Sequence, residues 1–227
     1  MRANPLDIIR VIPWGCCPYA DAIRRQEKLR DRVTQGLEQE AILVMEHPSI
    51  ITRGRGDHGA QLRVSEAFLA SRGIALMNVD RGGGATYHGP GQVVAYPVLR
   101  FSRFQRDIHR YLRILEGAVL RVCEDLGVSG RRRTGLSGVW VEDRKIAFIG
   151  VAVRGNVTSH GLSLNVHDVH EGFQWIDPCG IKDLEVTSLE QEGASIPTEE
   201  AASRLAEALR TVCQEATSWW PQDIPPG

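Results

Sequence analysis

The sequence predicts an α+β fold, a mostly antiparallel or mixed sheet packed by about four helices, in one domain spanning residues 1–227. Three observations predict it. Short apolar or alternating runs outnumber amphipathic helical stretches. Few connections have the strand–helix–strand pattern of a parallel crossover. No repeat, low-complexity tract or flexible linker divides the 227 residues, a length one large domain with a sizeable core accounts for.

The elements follow in order. Leu6–Pro13 reads as a short strand and 21–38 as a helix, with Ala22, Ile23, Leu29, Val33 and Leu37 in helical period and Gln26 as the one polar exception. The run 40–46 is a buried strand ended by His47-Pro48, and Ile50-Ile51-Thr52 leads into a basic loop, Arg53-Gly54-Arg55-Gly56-Asp57. Ser65 is placed to cap a short helix to Ser71, with Gly73 just beyond it, and 74–79 is a strand. Residues 81–92, the most glycine-dense stretch, read as a loop before a strand at 93–99. Asp107 caps a long helix whose core stripe is Ile108, Tyr111, Leu112, Leu115, Ala118, Val119, Val122 and Leu126, and Gly127 ends it. Strands at 138–141, 145–154 and 157–166 are joined by turns at Glu142-Asp143-Arg144 and Gly155-Asn156. Thr198 caps a last helix with Glu199 and Glu200 suited to its dipole and Leu205, Ala206, Leu209, Val212 and Cys213 facing inward. The Trp219-Trp220-Pro221 tail is expected to dock by its indoles and 221–227 to fray.

Composition narrows the function classes. With 42% hydrophobic and 24% charged residues this reads as an ordinary soluble protein, and a net charge of −1 gives no global attraction to nucleic acid or membrane. No apolar run is long enough to span a bilayer, and the first residues lack the apolar core of a signal peptide, so a cytoplasmic protein is expected. The five cysteines form no CxxC pair, which argues against a zinc site or a disulfide framework; Cys123 and Cys213 fall on apolar helix faces. His167 and His170 have H-x-x-H spacing without accompanying ligands, so no metal is expected.

Three places carry chemistry. Cys179 stands between Pro178 and Gly180, outside any apolar periodic run; it reads either as a small packed residue in a turn or as a thiol presented to a pocket. The glycine stretch is neither a P-loop, having no Lys-Ser/Thr ending, nor a dinucleotide fingerprint, having a strand and not a helix after it. It reads as a pocket floor where missing side chains admit a ligand, with His88 a hydrogen-bond donor. Lys145 opens an otherwise apolar strand and by alternation shares a face with Ala147 and Ile149; it either snorkels to water or lends a cation that lowers a thiol's pKa. His160-Gly161 places a polar residue and a glycine inside a strand, a mark of close approach.

Taken together, Arg81-Gly82-Gly83-x-x-Thr86-Tyr87-His88-Gly89-Pro90-Gly91-Gln92, then Gly138-Val139-Trp140-Val141 with Lys145-Ile146-Ala147-x-Ile149-Gly150-Val151 and His160-Gly161-Leu162-x-Leu164-Asn165-Val166, then Pro178-Cys179-Gly180, resemble the octanoyl-[acyl-carrier-protein]:protein N-octanoyltransferases of lipoate biosynthesis. His47-Pro48-x-x-Ile51-Thr52-x-Gly54 matches as well, so the resemblance covers about residues 40–190. Ser163 departs from it, standing where the family often has alanine.

The resemblance implies the biotin and lipoate ligase fold, Cys179 as the acyl-thioester residue, and Lys145 as its partner. It implies substrate-binding segments at Arg81, Gly82, Gly83, Gly84, Ala85, Thr86, Tyr87 and His88, at Phe148, Ile149 and Gly150, and at Gly161, Leu162 and Ser163. The implied donor is octanoyl-acyl carrier protein. The implied acceptors are lipoyl domains of 2-oxoacid dehydrogenase E2 subunits and the glycine cleavage H protein. No cofactor is implied, and a monomer is expected. Backbone N–H groups near Gly180 or in Gly82–Gly84 are candidates for the oxyanion, and Arg53 with Arg55, Arg103 with Arg106, or Arg131–Arg133 for docking the acidic carrier. The alternatives are an ATP-dependent lipoate or biotin ligase, a non-catalytic lipoyl-domain-binding module, and a cysteine hydrolase.

Overall fold

Seven strands form the main sheet of the computed structural model, which describes residues 8–56 and 62–216, in the order β1-β2-β6-β10-β9-β8-β7. The strands are β1 (Arg10–Cys16), β2 (Ala41–Glu46), β6 (Gln92–Val98), β7 (Arg131–Arg133), β8 (Leu136–Val141), β9 (Arg144–Arg154) and β10 (Val157–Asn165). A smaller sheet, β4-β3-β5, is built from β3 (Ile50–Arg53), β4 (Ala75–Asn78) and β5 (Ala85–His88). Pairing is antiparallel except for β1 with β2 and β3 with β4. The helices are α1 (Tyr19–Thr34), α2 (Glu66–Ser71), α3 (Ile108–Asp125), α4 (His170–Phe173) and α5 (Thr198–Glu215). The α+β class is as the sequence predicts; the second sheet and the single turn of α4 are additions to it.

Helices α3 and α5 cover one face of the main sheet, where Tyr111, Leu115, Val119, Leu205 and Leu209 bury against β6, β9 and β10. Helix α1 covers the other face through Ala22, Leu29 and Val33. A third apolar cluster joins the small sheet to α4 and the segment after it. The site lies where the small sheet meets β9 and β10.

Several boundaries differ from the sequence reading, each for a local reason. Strand β1 runs later, because its pairing with β2 begins at Arg10↔Ala41; residues 1–7, Asp57 and the tail from 217 lie outside the described residues. Helix α1 starts after Pro18 and stops at Thr34, where Gly36 at φ 73 supplies the left-handed residue that ends helices. Ser65 and Asp107 cap as expected, accepting from Phe68 N and from His109 N and Arg110 N. Thr198 does not cap α5; it is the first helical residue, Pro197 precedes it, and no side chain closes that end. Ile108 leaves the core stripe of α3 and stays 36% exposed. Gln26 is buried within the core face of α1, and its Oε1 accepts the backbone N–H of His160 on β10.

Candidate active site

Pro178-Cys179-Gly180 forms one tight turn, closed by Gly180 N–H to Asp177 O at 2.9 Å and Ile181 N–H to Pro178 O at 3.1 Å. Cys179 itself takes φ 58, ψ 16, a left-handed conformation that costs a non-glycine residue about 1 kcal/mol and tends to persist at functional sites. Asp177 anchors the turn by an ion pair with Arg63 at 2.6 Å. The thiol is exposed, whereas Cys17, Cys123 and Cys213 are buried.

Lys145 meets this thiol. Its side chain is 2% exposed, and Nζ lies 3.7 Å from Cys179 Sγ. Alternation misplaces it. The β8–β9 register slips between Val139↔Ala147 and Trp140↔Lys145, so Ala147 and Ile149 join the main core while Lys145 turns over Phe148. Its ammonium lies 4.8 Å from the Phe148 ring and 5.1 Å from the Trp140 ring. Burial pushes the Lys145 pKa below its usual value, and Cys179 and Glu116 oppose that push. The two ring faces favour the ammonium as well.

Gly138 makes room for the lysine. A Cβ there would stand 2.6 Å from Lys145 Cε and 2.5 Å from Ala147 O, at a φ of 110 that side chains rarely adopt. Glu116 fixes this glycine from α3. Its fully buried carboxylate accepts from Gly138 N at 3.1 Å and from Arg113 and Arg132.

Cys179 lines a slot between the small sheet and β9–β10. Arg81, Gly83, Thr86, His88, Phe148, Ile149, Gly150, Gly161, Leu162 and Ser163, all within the segments that the family resemblance assigns to substrate binding, line it. Gly82 lines a neighbouring groove, and Gly84, Ala85 and Tyr87 line neither. The cause is that 85–88 is a strand and not a loop: Thr86 and His88 face the slot, while Ala85 and Tyr87 face the third core cluster. Tyr87 packs on Phe173 and bonds Ser49 Oγ at 2.9 Å. Tyr19, Val94, Tyr96 and His160 line the slot without having been assigned to it; of these, only His160, a polar residue inside an apolar strand, gave a signal.

At Gly161, Gly150 and Gly54 the missing side chain makes room for neighbouring protein atoms, whereas Gly82 and Gly83 stand open at the cavities they line. A Cβ on Gly161 would lie 2.1 Å from Ala95 O, one on Gly150 2.9 Å from Arg81 Cδ, and one on Gly54 2.4 Å from Gly83 O. They let the basic loop, the glycine loop and strand β9 pack backbone to backbone. Arg81 is buried in that packing and donates to Thr52 O and Oγ1 at 2.9 and 2.8 Å.

Burial holds His47 and His88 neutral. Asn165 Nδ2 donates to Thr187 O at 2.8 Å, which leaves Asn165 Oδ1 to accept from Gln92 Nε2 at 2.9 Å and Gln92 Oε1 to accept from His88 Nδ1 at 2.6 Å. That order fixes the tautomer, so the spare Nε2 of His88 offers a lone pair and not the donor expected from sequence. Burial, then the neighbouring His47, pushes the His88 pKa down to about 3. His47 donates Nδ1–H to Cys17 O at 2.6 Å, accepts from Tyr96 at 2.9 Å, and is pushed by burial to about 4. His160 bonds Asp80 through Nε2 at 2.7 Å. Among the described residues, His160 Nδ1, Thr86 Oγ1 and Ser163 Oγ are buried without a partner.

A pH dependence follows. Below about 6.5 the unfolded chain protonates His47 and His88 while the folded chain does not, so their contribution is complete above that pH and lost as pH falls toward 4 and 3. Each histidine costs about 1.4 kcal/mol per pH unit in that window. Urea midpoints measured from pH 7 to pH 5 are expected to fall, less steeply in His47→Gln. Equal slopes in the two proteins would contradict the buried neutral His47.

Two other expectations change. Gly180 N and Gly82 N already donate to Asp177 O and Val151 O at 2.9 Å each, which leaves Cys179, Gly83 and Gly84 as backbone candidates for an oxyanion. Of the basic clusters, Arg103 pairs with buried Glu40, Arg132 with Glu116, and Arg131 and Arg133 with Asp143; Arg53 pairs with Glu66. His167 and His170 each face a carboxylate of their own, Glu190 and Asp168.

The family model for the lipoyl protein ligase A/B catalytic domain matches residues 18–210. An octanoyltransferase of Chloroflexus aggregans is 42% identical over 205 residues, covering 88% of this chain and 93% of the relative. One of Rubrobacter xylanophilus is 42% identical over 214 residues, covering 93% and 95%. Among solved structures, a lipoate-protein ligase A bound with ATP superposes with TM-score 0.69 at 15% identity, covering 90% of this chain and 85% of that one. An Aquifex aeolicus biotin protein ligase with biotin and ATP gives 0.55 at 13%, covering 92% and 71%. At these identities the solved structures show the shared fold alone.

Proposed function

The chain belongs to the lipoyl protein ligase A/B catalytic-domain family, among its octanoyltransferases, and from that premise we propose that it moves an octanoyl group from acyl carrier protein to a lipoyl-domain lysine through a Cys179 thioester. The observation that carries this reading is the 3.7 Å contact between Lys145 Nζ and Cys179 Sγ, the thiol that lines the slot.

The reaction has two steps. The Cys179 thiolate, beside the Lys145 ammonium, attacks the donor thioester carbonyl; the C–S bond to the carrier's arm breaks, and the arm leaves as a thiol after taking a proton from Lys145, which is left as a free amine. The acceptor amine then attacks the acyl-Cys179 carbonyl. Its N–H proton passes to the Lys145 amine, restoring the ammonium, or to the departing Cys179 thiolate, and an amide replaces the thioester. Thioester exchange is nearly balanced and amide formation runs downhill, so neither ATP nor a cofactor enters. The acceptors are lipoyl domains of 2-oxoacid dehydrogenase E2 subunits and the glycine cleavage H protein. We place this activity on a monomer in the cytoplasm; among the described residues no helix is long and apolar enough to cross a membrane.

The slot takes the acyl tail, with Leu162 and Val94 as its apolar walls. Its free volume, about 30 Å³, has room for no more than a water or two, so an eight-carbon chain enters by widening it.

Incubating the protein with octanoyl-acyl carrier protein, without ATP, is expected to add one octanoyl mass, absent in Cys179→Ala. No adduct, or an adduct elsewhere, overturns the mechanism. An adduct that yields only free acid in the presence of a lipoyl domain makes the protein a hydrolase.

A further inference from the structure

Cys179 opens on a second cavity, a groove of about 490 Å³, with Gly83, Ile149 and Gly150 shared between groove and slot. We propose that this groove seats the phosphopantetheine arm of the thioester donor, with Arg55 holding its phosphate. The proposal rests on the donor reading above.

A thioester has two limbs that diverge from the carbon under attack. With the tail in the slot, the sulfur limb must leave Cys179 by another path. The same residue lines the groove, and Gly83, Ile149 and Gly150 are common to the two cavities.

The groove's chemistry matches that limb, which carries two amides, a branched apolar segment and a terminal phosphate. One wall is the open edge of β9. Pairing with β8 ends at Val139↔Ala147, and beyond it β9 pairs only with β10 among the described residues. The protein uses this edge once, where Gly82 N–H donates to Val151 O at 2.9 Å. By the two-residue period of a strand, the N–H and C=O groups of Ile149 and Val153 point the same way, as partners for amides of an extended ligand. The opposite wall is apolar: Phe101, Leu112 and Ile108, the last 36% exposed at the start of α3. Arg55 is the one cation lining the groove among the described residues, and it is exposed. A phosphodiester provides a matching charge, and Arg is suited to phosphate through its forked donors.

The test measures single-turnover acylation of Cys179 by intact mass. The donors are octanoyl-4′-phosphopantetheine, octanoyl-pantetheine and octanoyl-N-acetylcysteamine; the proteins are wild type, Arg55→Ala and Ile108→Asp, each checked by thermal unfolding. Wild type is expected to prefer the phosphorylated donor by about tenfold, the worth of one charge-assisted hydrogen bond. Arg55→Ala is expected to erase that preference and leave the N-acetylcysteamine rate unchanged. Ile108→Asp is expected to slow both pantetheine donors and spare the short one. A phosphate preference that survives in Arg55→Ala overturns the proposal. So does an Ile108→Asp rate loss that is equal for all three octanoyl donors, which would put the tail in the groove, or no loss with either pantetheine donor, which would leave the arm outside it. If wild-type Cys179 is acylated by none of the three donors, the functional reading itself fails, and the groove proposal with it.

Discussion

Lys145→Met is expected to give a folded protein, at least as heat-stable as wild type, that transfers octanoyl groups 10²–10⁴-fold more slowly, the usual worth of a positioned acid–base group. The stability arises because Lys145 is 2% exposed and burial pushes its pKa down. Cys179, Glu116 and the rings of Trp140 and Phe148 offset that cost only in part. Methionine fills the same channel without a charge, a substitution that at buried ion pairs is often neutral or stabilising. A gain on the order of 1 kcal/mol is in the range of such exchanges. The pH dependence has a definite sign. Between the lowered pKa of Lys145 and its ordinary value of 10.5 the unfolded chain holds a proton that the folded chain has lost, so wild-type stability gains a rising term with pH across that window. The variant lacks that term. Urea titrations at pH 7 and above, with single-turnover rates, check both halves. A variant that is clearly less stable than wild type would contradict the desolvation account, and one that keeps its transfer rate would contradict the role of the amine.

Gly138→Ala is expected to lower transfer by on the order of 10², the cost of misplacing a reacting group by about 1 Å. The methyl would stand 2.6 Å from Lys145 Cε and 2.5 Å from Ala147 O. The lysine tip can swing aside, but the carbonyl of a central strand cannot. The φ of 110 adds at least about 1–2 kcal/mol of strain, so the variant is expected to melt earlier as well. Alkylation separates the two effects. If the alanine displaces the ammonium, the rate of Cys179 modification by iodoacetamide at pH 7 should move toward that of Lys145→Met. A wild-type rate in a merely less stable protein would mean that Gly138 serves only the fold.

The parts of this site that sequence makes legible are those with local causes. The caps at Ser65 and Asp107 follow from one side chain and its own helix end. Cys179 stands out because proline and glycine flank it. The parts that were not legible depend on distant partners. Gln26 looks like a flaw in a helical stripe until His160, on β10, turns its N–H toward it. Tyr19 reaches the slot only because α1 packs against β6 and β10, and Tyr96 because β6 pairs with β10. Strand β5 hides inside a glycine-rich run; pairing with β3 makes it a strand, and that pairing sends Tyr87 away from the slot. The register slip beside Lys145 has no sequence signature, yet it decides which face the amine takes.

The central claim is that one octanoyl group passes through Cys179 to an amine without adenylation. Chasing the isolated acyl-enzyme tests it most directly. Protein loaded with octanoyl-acyl carrier protein is freed of carrier, mixed with a lipoyl domain in the absence of ATP, and both chains are followed by intact mass. The octanoyl mass is expected to leave Cys179 and appear on the acceptor lysine at the same rate. A thioester that persists on Cys179 while the acceptor is modified only when ATP and free octanoate are added would contradict it.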